Sequence, residues 1–159
     1  MTVLGLIVVI TGAFVISSGR LALGAWIVLG GSVLDGLDGA VARASDSVTA
    51  KGAFLDSVFD RLGEIAAFAG LGFALAGDAR VLLLIVVAIG GALMVPYLRA
   101  RAEAEGLEGK GGLMGRAERI IVFSIGLIFG VIEPMLVVFL VLVWLTVVMR
   151  FVRTYRSIP

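Results

Sequence analysis

Residues 21–43 read LALGAWIVLGGSVLDGLDGAVAR, and a second stretch, residues 52–60, reads GAFLDSVFD. The first begins as an uninterrupted apolar run of membrane-crossing character and closes on two carboxylates, Asp35 and Asp38. The second carries Asp56 and Asp60 inside an otherwise apolar run, with Glu64 one turn further on. A charged side chain at the centre of a membrane helix costs about 3 kcal/mol on the insertion scale unless it is paired, solvated or metal-bound. Spacing shows how these acids are used. Asp35 and Asp38 are i, i+3 and Asp56 and Asp60 are i, i+4, so each pair shares one helix face. A short polar segment joins the two stretches, which predicts antiparallel packing and four carboxylates gathered at one end of the helices. Such a group repels itself unless cations neutralise it or some members stay protonated. Because the chain has neither His nor Cys, the donors are all hard oxygens, which suit Mg²⁺ or Mn²⁺. Helix–helix hydrogen bonds, or ion pairs to Arg43 and Arg61, are the plainer alternative use of these acids.

Composition agrees with a membrane protein. The 159 residues are 60% hydrophobic and 16% charged, with a mean hydropathy of +1.14. A soluble domain averages about 45–50% apolar and about 25% charged. Lack of Cys and His also excludes disulfides, structural zinc, haem ligation and thiol or Ser-His-Asp chemistry. A net charge of +1 gives no bulk basicity for nucleic acid. Six apolar stretches are long and unalternating enough to be helices: Val3–Ser17, Leu21–Val41, Gly52–Ala76, Val81–Leu98, Ile120–Ile132 and Pro134–Val152. The first is short for a span, about 23 Å at about 1.5 Å per residue, and lacks a signal peptide's basic flank, which suggests a missing N-terminal extension. With both termini inside, 11 of the 13 basic residues fall on the inner side and only Arg20 and Arg80 outside, a strong positive-inside bias. The inner connections, 44–51 and 99–119, are the longest, and function is expected there. Acids confined to the inner end argue against a cation transporter, whose acids would line the midplane and both sides of it. A scaffold with vestigial acids is a third reading.

Read together, residues 35–60 spell D-x-x-D-G-x-x-A-R-x8-G-x-x-x-D-x-x-x-D. This resembles the signature of the CDP-alcohol phosphatidyltransferase family at every defined position, and the likeness extends over nearly the whole chain. It implies an all-α integral membrane bundle of six transmembrane helices, residues 1–159 forming one domain in the cell membrane, with both termini and the active site cytoplasmic. The family's amphipathic N-terminal segment is absent from this sequence. Family members move a phosphatidyl-type group from a CDP-linked lipid to an alcohol and release CMP. The resemblance assigns Asp35, Asp38 and Asp56 to two divalent ions, Mg²⁺ or Mn²⁺, with Asp60 contributing to one ion and serving as general base. It assigns Gly39, Ala42, Arg43 and Gly52, with Thr49 as a weaker candidate, to the wall facing the CDP-lipid. It also implies a homodimer.

The acceptor is addressed by the inner segment 97–119, which holds Arg99, Arg101, Arg116 and Arg119. It resembles the branch of the family that makes phosphatidylinositol phosphate or its archaeal ether-lipid counterpart. That likeness assigns Arg99, Arg119 and Arg150 to the phosphate of an inositol phosphate, with Arg116 nearby. Arginine forks suit a phosphate, whereas inside-positive bias alone accounts for Arg153 and Arg156. Arg99 has a second use as an i, i+4 partner of Glu103. Glycerol 3-phosphate, serine and inositol are the alternative acceptors. The sequence departs from the branch at Ala117, where Pro is frequent, and at Arg99, where Lys is also found. Glu64 is read as support for the acidic face or a partner of Arg61. Gly126 and Gly130 form a GxxxG pair, which marks a helix contact or a dimer seam.

Overall fold

Local signals set the helix boundaries in the computed structural model, which describes residues 3–44, 49–109 and 111–158, the side chains of 38–44 excepted. The elements are α1 (Val3–Ser17), α2 (Leu21–Ala44), α3 (Ala50–Ala74), α4 (Ala79–Ala104), α5 (Arg116–Ile128) and α6 (Ile132–Ser157), with no strand among the described residues. Thr49 caps α3 by accepting from the Gly52 amide at 3.0 Å. Asp78 caps α4 by accepting from the Arg80 and Val81 amides at 3.0 and 3.1 Å. Both side chains satisfy amide groups that a helix start leaves unpaired.

Several boundaries differ from the sequence expectation by two to six residues, and two of the differences bear on the arginines. Helix α4 runs to Ala104 rather than stopping at Leu98, because Arg99–Glu103 (2.8 Å) and Arg101–Glu105 ion pairs stitch its last turns at i, i+4 spacing. It ends where Gly106 adopts φ +73° and the Leu107 amide reaches back to the Ala102 carbonyl at 2.9 Å, a left-handed stop that favours glycine. Helix α5 starts at Arg116, not Ile120, so Arg116 and Arg119 are helical rather than loop residues. Gly115 is its N-cap and Glu118, in the first turn, suits the positive end of the helix dipole. The GxxxG pair is used within the chain. Gly126 lies where an added Cβ would meet the Met135 side chain of α6 at 2.2 Å. Gly130, at φ +69°, closes α5 in the same left-handed fashion, with the Val131 amide bonded to the Gly126 carbonyl at 2.9 Å.

The main packing contacts order the helices in a ring: α1, α2, α5, α6, α4, α3 and back to α1. Among the described residues α2 and α3 are therefore brought together chiefly through α1, rather than by the direct antiparallel packing the sequence predicts. Phe68 of α3 fills the centre, its ring centroid 4.9 Å from Phe123 of α5 and 5.2 Å from Phe139 of α6. Small residues let α1 come close on both sides. A Cβ on Gly24 of α2 would sit 2.7 Å from the Gly12 carbonyl oxygen, and one on Gly70 of α3 would sit 2.3 Å from the Ala13 carbonyl oxygen. Backbone cannot yield as a flexible side chain can, so Gly70→Ala must push α1 off α3. A loss of about 1–3 kcal/mol is expected, measurable as a lower melting temperature in detergent. Gly90→Ala, with nothing within 4 Å of its Cβ, should leave the melt unchanged or raise it slightly.

The outward faces are apolar: Phe14, Trp26, Phe73, Leu83, Val141 and Val148 are all more than half exposed. An exterior of this kind needs lipid or a partner to cover it. Helices α4 and α6 are long and apolar enough to cross a membrane by length and composition. The C-terminal ends of α2, α4 and α6 meet the N-terminal ends of α3 and α5 at one end of the ring, and there the polar residues collect. At the opposite end the starts of α4 and α6 are linked by an exposed Arg80–Glu133 pair at 3.9 Å.

Candidate active site

Asp35 near the end of α2 and Asp56 and Asp60 on the first turns of α3 each offer a carboxylate oxygen, and these oxygens lie within 4.8 Å of one another. Asp35 is buried, at 4% exposure, and the other two are partly buried. The donor set is all oxygen, from two helices, and convergent, as a hard divalent ion requires. A further observation favours a cation there. Asp60 Oδ1 is buried and receives no hydrogen bond, although the Arg116 guanidinium stands 2.7 Å away. Close approach without alignment is an ion pair, not a satisfied acceptor. The three residues therefore fit a divalent ion. Asp38, expected as a fourth ligand, lies outside the described side chains, as do Gly39, Ala42 and Arg43.

Arginines from α4, α5 and α6 face this acidic wall. Arg116 of α5 spans it, with Nη1 donating to Asp35 Oδ2 at 3.0 Å and Nη2 at 2.7 Å from Asp60. Arg119, one turn later, is buried. Its Nε and Nη2 donate to the two oxygens of Glu64 at 2.6 and 3.2 Å, and Nη1 donates to the Met114 carbonyl at 3.2 Å. Arg150 of α6 donates from Nε to the Gly111 carbonyl and from Nη1 to the Val95 carbonyl, both at 2.8 Å. Arg99 of α4 is half-exposed and paired with Glu103.

The segment before α5 is held in place from α6. Thr146 Oγ1 accepts from the Leu113 and Met114 amides at 3.1 and 3.0 Å and donates to the Leu142 carbonyl at 2.8 Å. Gly112, at φ +101°, lies so close over this threonine that an added Cβ would meet its Cγ2 at 2.3 Å. Met114 is thereby fixed, and with it the carbonyl that Arg119 uses.

Between the two walls lies a cavity of about 750 Å³. Asp56, Asp60, Arg99, Arg116, Arg119 and Arg150 all line it, together with Ser57, Arg61, Tyr97 and Pro96. The structure thus brings the four arginines assigned to an anionic acceptor into one chamber beside two of the acids. Arg153 is not among its lining residues. Thr49 and Gly52, assigned to the CDP-lipid wall, are exposed and form the α3 cap. Sequence reasoning missed two partnerships. It offered Arg61 as the partner of Glu64, and Arg61 does pair with it at 3.9 Å, but the closer partner is Arg119, which takes both oxygens. It placed Arg116 near the acceptor without foreseeing that it bridges Asp35 and Asp60. Only the position of Glu64 on the Asp56/Asp60 face hinted at the first.

Comparison with known proteins follows the same lines. Residues 1–152 match the sequence profile of the CDP-alcohol phosphatidyltransferase family. The archaetidylinositol phosphate synthase of Methanothermobacter thermautotrophicus is 34% identical over 163 residues, covering 99% of this chain and 82% of the relative. The phosphatidylinositol phosphate synthase of Mycobacterium marinum is 38% identical over 129 residues, covering 79% of this chain and 55% of the relative. Among solved structures, the Mycobacterium tuberculosis phosphatidylinositol phosphate synthase with manganese and citrate superposes with a TM-score of 0.85 at 32% identity, covering 96% of this chain and 79% of that one. The same enzyme with CDP-DAG bound gives 0.81 at 32% identity, covering 98% and 82%. Profile, relatives and fold agree, and the chain belongs to the CDP-alcohol phosphatidyltransferase family.

Proposed function

We propose that this protein transfers the phosphatidyl-type group of a CDP-lipid to an inositol phosphate and releases CMP, in phospholipid biosynthesis. Membership of the family makes it a transferase that uses an alcohol as acceptor. The observation that carries the choice of acceptor is the chamber in which Arg99, Arg116, Arg119 and Arg150 face Asp56 and Asp60. A neutral alcohol has no use for several guanidinium groups, while an acceptor phosphate does. The naming of the archaeal and mycobacterial relatives as inositol phosphate lipid synthases supports the same choice.

In this reading Asp35, Asp38, Asp56 and Asp60 would hold two divalent ions. Bound there, they supply charge neutralisation for the diphosphate and a more acidic acceptor hydroxyl. Asp60, which lines the chamber, takes the proton of that hydroxyl. The acceptor oxygen attacks the lipid-side phosphorus, the bond from that phosphorus to the bridging oxygen breaks, and the electron pair leaves with CMP. The arginines bind the acceptor phosphate and orient the hydroxyl. Gly39, Ala42, Arg43 and Gly52, with Thr49, are assigned by family resemblance to the nucleotide end of the donor. All six helices cross the membrane with both termini and the site on the cytoplasmic side. The arginine-rich end and the apolar exterior support this. Family membership also supports a homodimer, measurable as particle mass in nanodiscs.

An acceptor panel tests the assignment. Purified protein with CDP-lipid, Mn²⁺ and labelled inositol 1-phosphate should release CMP and yield an anionic lipid. Glycerol 3-phosphate as the sole productive acceptor would overturn the acceptor, and no CMP with any alcohol would overturn the enzyme reading.

A further inference from the structure

Arg116 belongs to the arginine wall by position but not by contact. Its guanidinium is spent on Asp35 and Asp60 at 3.0 and 2.7 Å, two of the three carboxylates that converge as a cation site. Its side chain is 28% exposed and lines the chamber that Arg99, Arg119 and Arg150 also line. One side chain therefore has two anionic destinations within its reach, the acidic wall and whatever anion fills the chamber. Arg119 does not move between the two, because Glu64 and the Met114 carbonyl take three of its five N–H groups and fix it in place, leaving two for an anion in the chamber.

We propose that Arg116 is an internal counter-cation which a divalent ion displaces, and that its release delivers a further guanidinium to the acceptor phosphate. The inference rests on the proposed reading of the site. Physically it requires only that a divalent ion and a guanidinium repel when they share the same carboxylates. The ion must then bind against Arg116, and an anion that holds Arg116 in the chamber removes that opposition. Ion and phosphate therefore tighten one another's binding, by reciprocal linkage. Arg116 is in this sense a positioning residue that couples loading of the acidic wall to acceptor capture.

Mn²⁺ binding without turnover tests this. Free Mn²⁺ is followed by electron paramagnetic resonance with the full chain in nanodiscs lacking CDP-lipid. Inorganic phosphate serves as the anion probe, with correction for the soluble manganese–phosphate complex. In the wild type, phosphate should tighten Mn²⁺ binding by about 5- to 150-fold, the usual range of site–site coupling. Arg116→Gln should bind Mn²⁺ more tightly than wild type with no phosphate present, and phosphate should then add little. Arg116→Lys, which keeps the charge, should restore part of the coupling. Arg116→Gln binding Mn²⁺ no better than wild type would overturn the proposal, and so would phosphate enhancement persisting undiminished in it. Should Arg116→Gln fail to fold, the wild-type measurement decides alone, since absence of phosphate enhancement there overturns the proposal. Because no CMP is formed or measured, these outcomes are independent of the acceptor panel.

Discussion

Asp60→Asn should lower the rate of CMP release by about 10²- to 10⁴-fold, the range that a positioned general base contributes. The substitution keeps the volume of the side chain and removes its ability to take a proton. It also removes the charge that faces Arg116 at 2.7 Å and Arg61 at 3.5 Å. Arg116 retains its bond to Asp35, so the wall should stay folded and the melting temperature should change little. At saturating Mn²⁺, which offsets the weakened ion site, both Michaelis constants should remain within a few-fold of wild type while kcat collapses, because the loss is felt in the transition state. A kcat within about threefold of wild type would remove Asp60 from the reaction.

Arg119→Ala should act on a different quantity. Its guanidinium is buried, and its loss leaves Glu64, whose side chain is 10% exposed, without its two-point partner. Breaking one side of a buried pair costs about 3–5 kcal/mol, which should appear as a marked fall in melting temperature. Kinetically, the KM for the acceptor should rise at least about tenfold, as expected for a lost charged hydrogen bond, while the KM for CDP-lipid holds. The two effects can be separated. Replacing both partners with apolar residues of similar size, Glu64→Leu with Arg119→Met, should recover stability without recovering acceptor affinity. Equal rises in both Michaelis constants would show that Arg119 supports the whole site rather than one substrate.

Much of this was legible in the sequence because it is local. Six helices follow from six apolar runs, and α1 spans the residues the sequence marks. Three of the four signature acids converge because each stands at a helical interval on its own segment. The rest depends on distant partners. Glu64 and Arg119 are 55 residues apart, and Asp35 and Arg116 are 81 apart, and no periodicity connects them. The start of α5 was hidden because the sequence reads a charged, glycine-rich stretch as loop, whereas Gly115 caps a helix that carries two of its arginines. The pair Gly126 and Gly130 reads as a packing motif in one dimension. In three, one glycine admits Met135 and the other stops the helix. Direct α2–α3 packing was inferred from a short connection, and among the described residues α1 packs against both while the two helices meet at Asp35, Asp56 and Asp60.

The ring order has a further implication. Helices α1–α3 and α4–α6 are sequence-contiguous halves, touching mainly through α2 with α5 and α3 with α4. Residues 1–78 contain seven acidic and four basic side chains, and residues 79–159 contain five acidic and nine basic. Every acid that lines the chamber from α3 belongs to the first half, and Arg99, Arg116, Arg119 and Arg150 all belong to the second. In the proposed reading, the signature acids that carry the bond-making chemistry and the arginines that recognise the incoming alcohol are thus encoded in separate portions of the polypeptide. On that reading, changes within the second portion would redirect what is accepted while leaving what is donated, and how, intact, so that one reaction centre would serve a range of headgroups.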